Sequence, residues 1–107
     1  CSRLAYFFTS MELDNGTYRI QGVECSRLAT QFGTPLYVYD GNKMIAQLRT
    51  LQRAFAESNV KVKYAAKALT NLSVLKLLKR NGSGVDVVSM NEARIALRAG
   101  FEPADIM

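Results

Sequence analysis

The sequence predicts an α/β fold with parallel strands, the N-terminal portion of a (β/α)8 TIM-like barrel. Two patterns carry that prediction. Strand-like and helix-like apolar segments alternate from about Leu36 onward. The strand starts at Leu36, Val60, Val85 and Ile106 recur after 24, 25 and 21 residues, a regular spacing that suits a barrel. A doubly wound sheet fits the same elements. Three strand–helix units and the start of a fourth strand do not close a barrel of about 250 residues, so the 107 residues read as a partial barrel.

The elements follow in order. Asp14-Asn15-Gly16 is a turn signal. Tyr18 to Val23 reads as a short strand and Glu24 to Phe32 as a short helix. Gly33-Thr34-Pro35 breaks the chain before the strand Leu36-Tyr-Val-Tyr39. Asp40 is an N-cap for a helix from about Asn42 to Glu57, whose apolar residues Met44, Ile45, Leu48, Leu51 and Phe55 recur at helical spacing. Val60 to Ala68 is the second strand. Thr70 or Asn71 caps a helix carrying Leu72, Leu75, Leu77 and Leu78 through Arg80, and Asn81-Gly82 ends it. Val85 to Ser89 is the third strand, and Ser89 with Glu92 forms a capping box for a helix ending at Gly100. Phe101 to Asp105 is a loop, and Ile106-Met107 begins a fourth strand.

Residues 1–10 do not fit this pattern. Met11 is the expected natural start, with upstream read-through before it. Residues 1–17 are taken as a tail and 18–107 as the partial barrel domain.

Composition narrows the function. Apolar residues make up 49% of the chain, which suits a packed core, and no apolar run of about 18 residues marks a membrane span. There is no histidine, which removes the commonest general base and metal ligand. Cys1 and Cys25 are too few for a disulfide framework or a zinc site, so a reducing, cytoplasmic setting is expected and no metal. Cys25 reads as a small packing residue. The net charge of +5 is spread over helix surfaces at Arg49, Arg53, Lys76, Lys79, Arg94 and Arg98. No stacking aromatics interleave with these residues, so no nucleic-acid partner is expected.

The chemistry-bearing residues lie on the second and third strands. In Val62-Lys-Tyr-Ala-Ala-Lys-Ala68, strict alternation puts Lys63, Ala65 and Lys67 on one face and Val62, Tyr64 and Ala66 on the other. If the Val62/Tyr64 face packs on helices, Lys67 points into the barrel near the carboxyl end of its strand, where barrel active sites sit. Asp86 is a carboxylate inside a short apolar strand, and an inward Asp86 could approach Lys67. On these residues alone a solvent-reaching strand-end lysine and an ordinary buried ion pair remain open.

Four stretches together resemble the start of the diaminopimelate decarboxylases, which are fold-type III pyridoxal-phosphate-dependent decarboxylases. They are Phe32-Gly-Thr-Pro-Leu-Tyr-Val-Tyr-Asp40, Val62-Lys-Tyr-Ala-Ala-Lys-Ala68, Gly84-Val-Asp-Val-Val-Ser89 with Glu92, and Ala99-Gly-Phe101. The resemblance implies that Lys67 holds pyridoxal 5'-phosphate covalently and that Ala65 and Asp86 line the cofactor pocket. It implies decarboxylation of meso-diaminopimelate to L-lysine by a full-length homodimer. It also implies that the phosphate, substrate and ring-stacking contacts lie outside this chain, so the isolated chain is expected to be inactive. Leu69 stands where the wider family often has Asn, and Met90-Asn91 where it often has Gly-Gly. Other readings are a related ornithine, arginine or carboxynorspermidine decarboxylase, a non-catalytic cofactor-binding barrel, and a basic interaction module.

Overall fold

A computed structural model describes residues 11–107, and the expectations for residues 1–10 lie outside the described residues. The chain divides into two compact units, one ending at Lys43 and one starting at Met44. The boundary expected between residues 17 and 18 falls inside a strand instead.

The first unit is an antiparallel meander of β1 (Glu12–Asp14), β2 (Thr17–Ile20) and β3 (Val23–Glu24), followed by α1 (Cys25–Phe32). Asn15 and Gly16 make the two-residue hairpin turn, both at positive φ, the left-handed pair that matches strand twist. Gln21 and Gly22 make a second such turn, so Tyr18 to Val23 is two strands where one was expected. Leu36 to Tyr39 belongs to no strand among the described residues, and Tyr37 is 87% exposed. A strand is defined by its partner, and an apolar β-branched composition alone supplies none.

Helix α2 (Gly41–Ala54) starts as its cap predicts, since the Lys43 amide donates to Asp40 Oδ1 at 3.1 Å. In the second unit β4 (Lys63–Ala65) pairs in parallel with β5 (Gly84–Asp86), in the register Lys63 to Gly84, Tyr64 to Val85 and Ala65 to Asp86. A parallel bridge joins Val85 to Ile106, the expected start of a further strand. Both strands are shorter than predicted: residues 66–68 form a 3-10 turn and residues 87–89 lie outside any strand. Between the strands runs α3 (Leu72–Arg80), and after β5 comes α4 (Met90–Ala99). Asn71 Oδ1 accepts from the Ser73 and Val74 amides. Ser89 Oγ accepts from the Glu92 amide while Glu92 Oε2 accepts from the Val88 amide. Gly82 and Gly100 end these helices at φ +80° and +94°, where a side chain is strained.

One core joins Leu75 of α3, Val85 of β5, Ala96 and Ala99 of α4, Phe101 and Ala66. A second joins Leu48 of α2 to Val74 and Leu78 of α3, with Val62 and Leu69 against them. Tyr64 packs on both, so the Val62/Tyr64 face meets helices as expected. Among the described residues no helix is long and apolar enough to cross a membrane.

Two predictions follow from local geometry. A Cβ at Gly84 would stand 2.9 Å from the Asp105 carbonyl oxygen and 2.9 Å from Lys63 Cγ, so backbone must shift. Gly84→Ala is expected to cost about 1–3 kcal/mol, read as a lowered urea midpoint at unchanged slope. The Asp40 carboxyl is held below its ordinary value, 3.8, first by the Lys43 amide and then by the Gln21 side chain. A depressed folded value means that the cap is fully stabilising above the unfolded value and weakens as pH falls through the folded one. Urea titrations should show that loss in the native chain, and Asp40→Asn should abolish this part of the pH dependence.

Candidate functional site

The parallel pair β4–β5 brings its carboxyl ends together, at Ala65 and Asp86. The register sets these two residues side by side on neighbouring strands, both part-buried. The β4 chain then turns through Ala66–Ala68, a 3-10 turn that carries Lys67. Lys67 is exposed, between the fully buried Ala66 and the exposed Ala68. Strand alternation therefore does not place Lys67, because the strand has ended. The turn does so instead: it drives the Ala66 methyl into the core with Leu75 and Val85 and leaves the next side chain to the outside.

The three residues expected at the cofactor thus gather at one end of one strand pair. Among the described residues no ion pair links Lys67 to Asp86, whereas Arg19 pairs with Asp14 and Glu24, and Lys61 with Asp105. An unpaired, accessible amine beside a small Ala65 and a carboxylate is a donor set that fits covalent capture of an aldehyde. The amine reaches the reagent without first breaking a salt bridge, and Ala65 adds only a methyl to the approach. Among the described residues no group of three or more His, Cys, Asp or Glu side chains could hold a metal ion.

The turn itself is braced by side chains that the sequence reading passed over. Thr70 Oγ1 donates to the Ala66 carbonyl at 2.8 Å, and the Tyr64 hydroxyl donates to the Leu69 carbonyl at 3.2 Å. A signal for Tyr64 was available: a tyrosine on a helix-facing strand position needs a partner for its hydroxyl. The opposite, amino ends of the strands carry a different set. There Lys61 pairs with Asp105, and that contact, ahead of Lys63 and Lys79, holds the Asp105 carboxyl below its usual range.

Comparisons with known proteins identify the family and several relatives of this chain. Residues 41–107 match the family of pyridoxal-dependent decarboxylases, in the pyridoxal binding domain. A diaminopimelate decarboxylase of Methanothermobacter thermautotrophicus is 45% identical over 96 residues, covering 88% of this chain and 22% of that protein. The diaminopimelate decarboxylase of Staphylococcus aureus is 40% identical over 94 residues, covering 86% of this chain and 22% of that protein. A crystal structure of an Aquifex aeolicus protein superposes with TM-score 0.86 at 38% identity, covering 91% of this chain and 24% of its own. A diaminopimelate decarboxylase from M. jannaschii, solved in complex with L-lysine, superposes with TM-score 0.77 at 34% identity, with the same coverage. The chain spans about 22% of the length of the curated relatives it matches.

Proposed function

The chain belongs to the pyridoxal-dependent decarboxylase family, and from that membership we propose that it supplies the lysine-bearing part of an enzyme converting meso-diaminopimelate to L-lysine. The observation that carries the reading is the gathering of Lys67, Ala65 and Asp86 at the carboxyl ends of β4 and β5, where barrel enzymes keep their chemistry. Similarity to proteins named diaminopimelate decarboxylase supports the substrate. The L-lysine complex of a similar structure supports an amino-acid ligand. The reading includes a homodimer, as the sequence resemblance implies, and a cytoplasmic setting, as the scarcity of cysteine suggests.

Each residue has a distinct part. The Lys67 amine would hold pyridoxal phosphate covalently through Nζ. When bound, pyridoxal phosphate supplies an electron sink for the pair left behind as carbon dioxide departs. Lys67 would also hold and move a proton at Nζ. Ala65 keeps the strand end narrow, so that the cofactor can lie against backbone. Asp86 places a carboxylate on the neighbouring strand.

Borohydride reduction of the intact protein with pyridoxal phosphate, followed by mass mapping, is expected to label Lys67. A label on Lys61 or Lys63 with Lys67 unmodified removes the assignment. Lys67→Arg keeps the positive charge but loses the condensing amine. It is expected to lower kcat for L-lysine formation by a factor on the order of 10² to 10⁴, measured as product formed under saturating substrate.

A further inference from the structure

The 3-10 turn that carries Lys67 has only three residues, too few to hold itself rigid through its own hydrogen bonds. Its two flanking carbonyls, Ala66 and Leu69, are each bound by a side-chain hydroxyl. Thr70 Oγ1 reaches back to the Ala66 carbonyl at 2.8 Å, and the Tyr64 hydroxyl reaches forward to the Leu69 carbonyl at 3.2 Å. One carbonyl lies just before Lys67 and the other two residues after it, so the pair brackets the lysine.

The two hydroxyls are themselves anchored. The Tyr64 ring packs against both hydrophobic cores. Thr70 directly precedes Asn71, whose side chain caps α3 through the Ser73 and Val74 amides. The bracket therefore ties the turn to β4 on one side and to α3 on the other, while the Ala66 methyl pins its start in the core.

We propose that Tyr64 and Thr70 are positioning residues for Lys67: their hydroxyls clamp the turn so that the Nζ amine meets the cofactor aldehyde in a fixed geometry. The proposal rests on the reading that Lys67 holds the cofactor. Its physical ground is that condensation needs a near-attack arrangement, and displacement of about 1 Å costs on the order of 10²-fold in rate. An amine-directed reagent that needs only exposure is indifferent to such a clamp.

The test compares two rates at Lys67 in the intact protein, measured by peptide mapping. One is labelling by pyridoxal phosphate with borohydride, and the other is modification by trinitrobenzenesulfonate. Tyr64→Phe keeps the ring packing and deletes the hydroxyl, Thr70→Val deletes the other, and Thr70→Ser restores it. Tyr64→Phe and Thr70→Val are each expected to slow pyridoxal phosphate labelling by about tenfold and to leave the trinitrobenzenesulfonate rate unchanged, with Thr70→Ser near wild type. Wild-type labelling rates in folded Thr70→Val overturn the proposal, as does an equal fall in both rates, which reports altered exposure. If Tyr64→Phe does not fold, the Thr70 pair carries the decision. A wild-type protein whose Lys67 takes no label overturns the assignment of Lys67, and the clamp with it, whereas labelled wild type with indifferent variants sinks the clamp alone.

Discussion

The second unit depends on the burial of Leu75 and Val85 against each other, both fully inaccessible. A buried aliphatic side chain contributes about 1.5–3 kcal/mol. An exposed ion pair contributes little because water screens it, and a single hydrogen bond contributes about 0.5–1.5 kcal/mol. Packing therefore decides where β5 lies against α3 and α4, and the polar contacts refine it. Since β4 takes its register from β5, the end of β4, and with it the turn bearing Lys67, inherits its position from that apolar contact.

The same contact explains why Lys67 is exposed. Ala66 is the neighbour that enters the core, and it has only a methyl to bury, so the turn can press close to Leu75 and Val85. A larger residue there would push the turn outward, since a close-packed interior accommodates added volume only by shifting backbone. A small buried residue beside a long exposed one lets a rigid core present a mobile amine from a fixed backbone point. Tyr64 and Thr70 brace that point through hydroxyls whose other ends are held by the core and by α3.

The helices were legible in the sequence because their signals are local. Asp40, Asn71 and Ser89 each make the cap that their spacing predicts, while Glu92 accepts from the Val88 amide, one residue before the N-cap the capping box specifies, and Gly82 and Gly100 end helices at positive φ. Strands were over-read for the opposite reason. Leu36 to Tyr39 and the outer residues of 60–68 and 85–89 have strand composition, but a ladder requires a partner elsewhere in the chain, which composition does not encode. The candidate site was read from the sequence as a set of residues and not as a geometry. Extending the period of two through Lys67 carried the alternation two residues past the end of β4. The alternation had the amine pointing into the barrel, whereas a turn in which Ala66 is buried and Lys67 exposed sets its direction instead.

The two ends of the strand pair divide the work. At the amino ends, Gly84 sits so tightly between Lys63 and the Asp105 carbonyl that a side chain has no room, and Lys61 pairs with Asp105 across 44 residues of sequence. Those contacts join the starts of β4, β5 and the Ile106 bridge. At the carboxyl ends the contacts are looser: an exposed amine, a part-buried carboxylate and a methyl, with no ion pair between the charges. A parallel sheet makes this asymmetry available, because every strand ends on the same side and every strand-to-helix turn gathers there. Tight packing at one end lets the other remain open without loosening the register. The role proposed for Lys67, holding a cofactor and exchanging it with a substrate, would need that combination of open surroundings and fixed backbone.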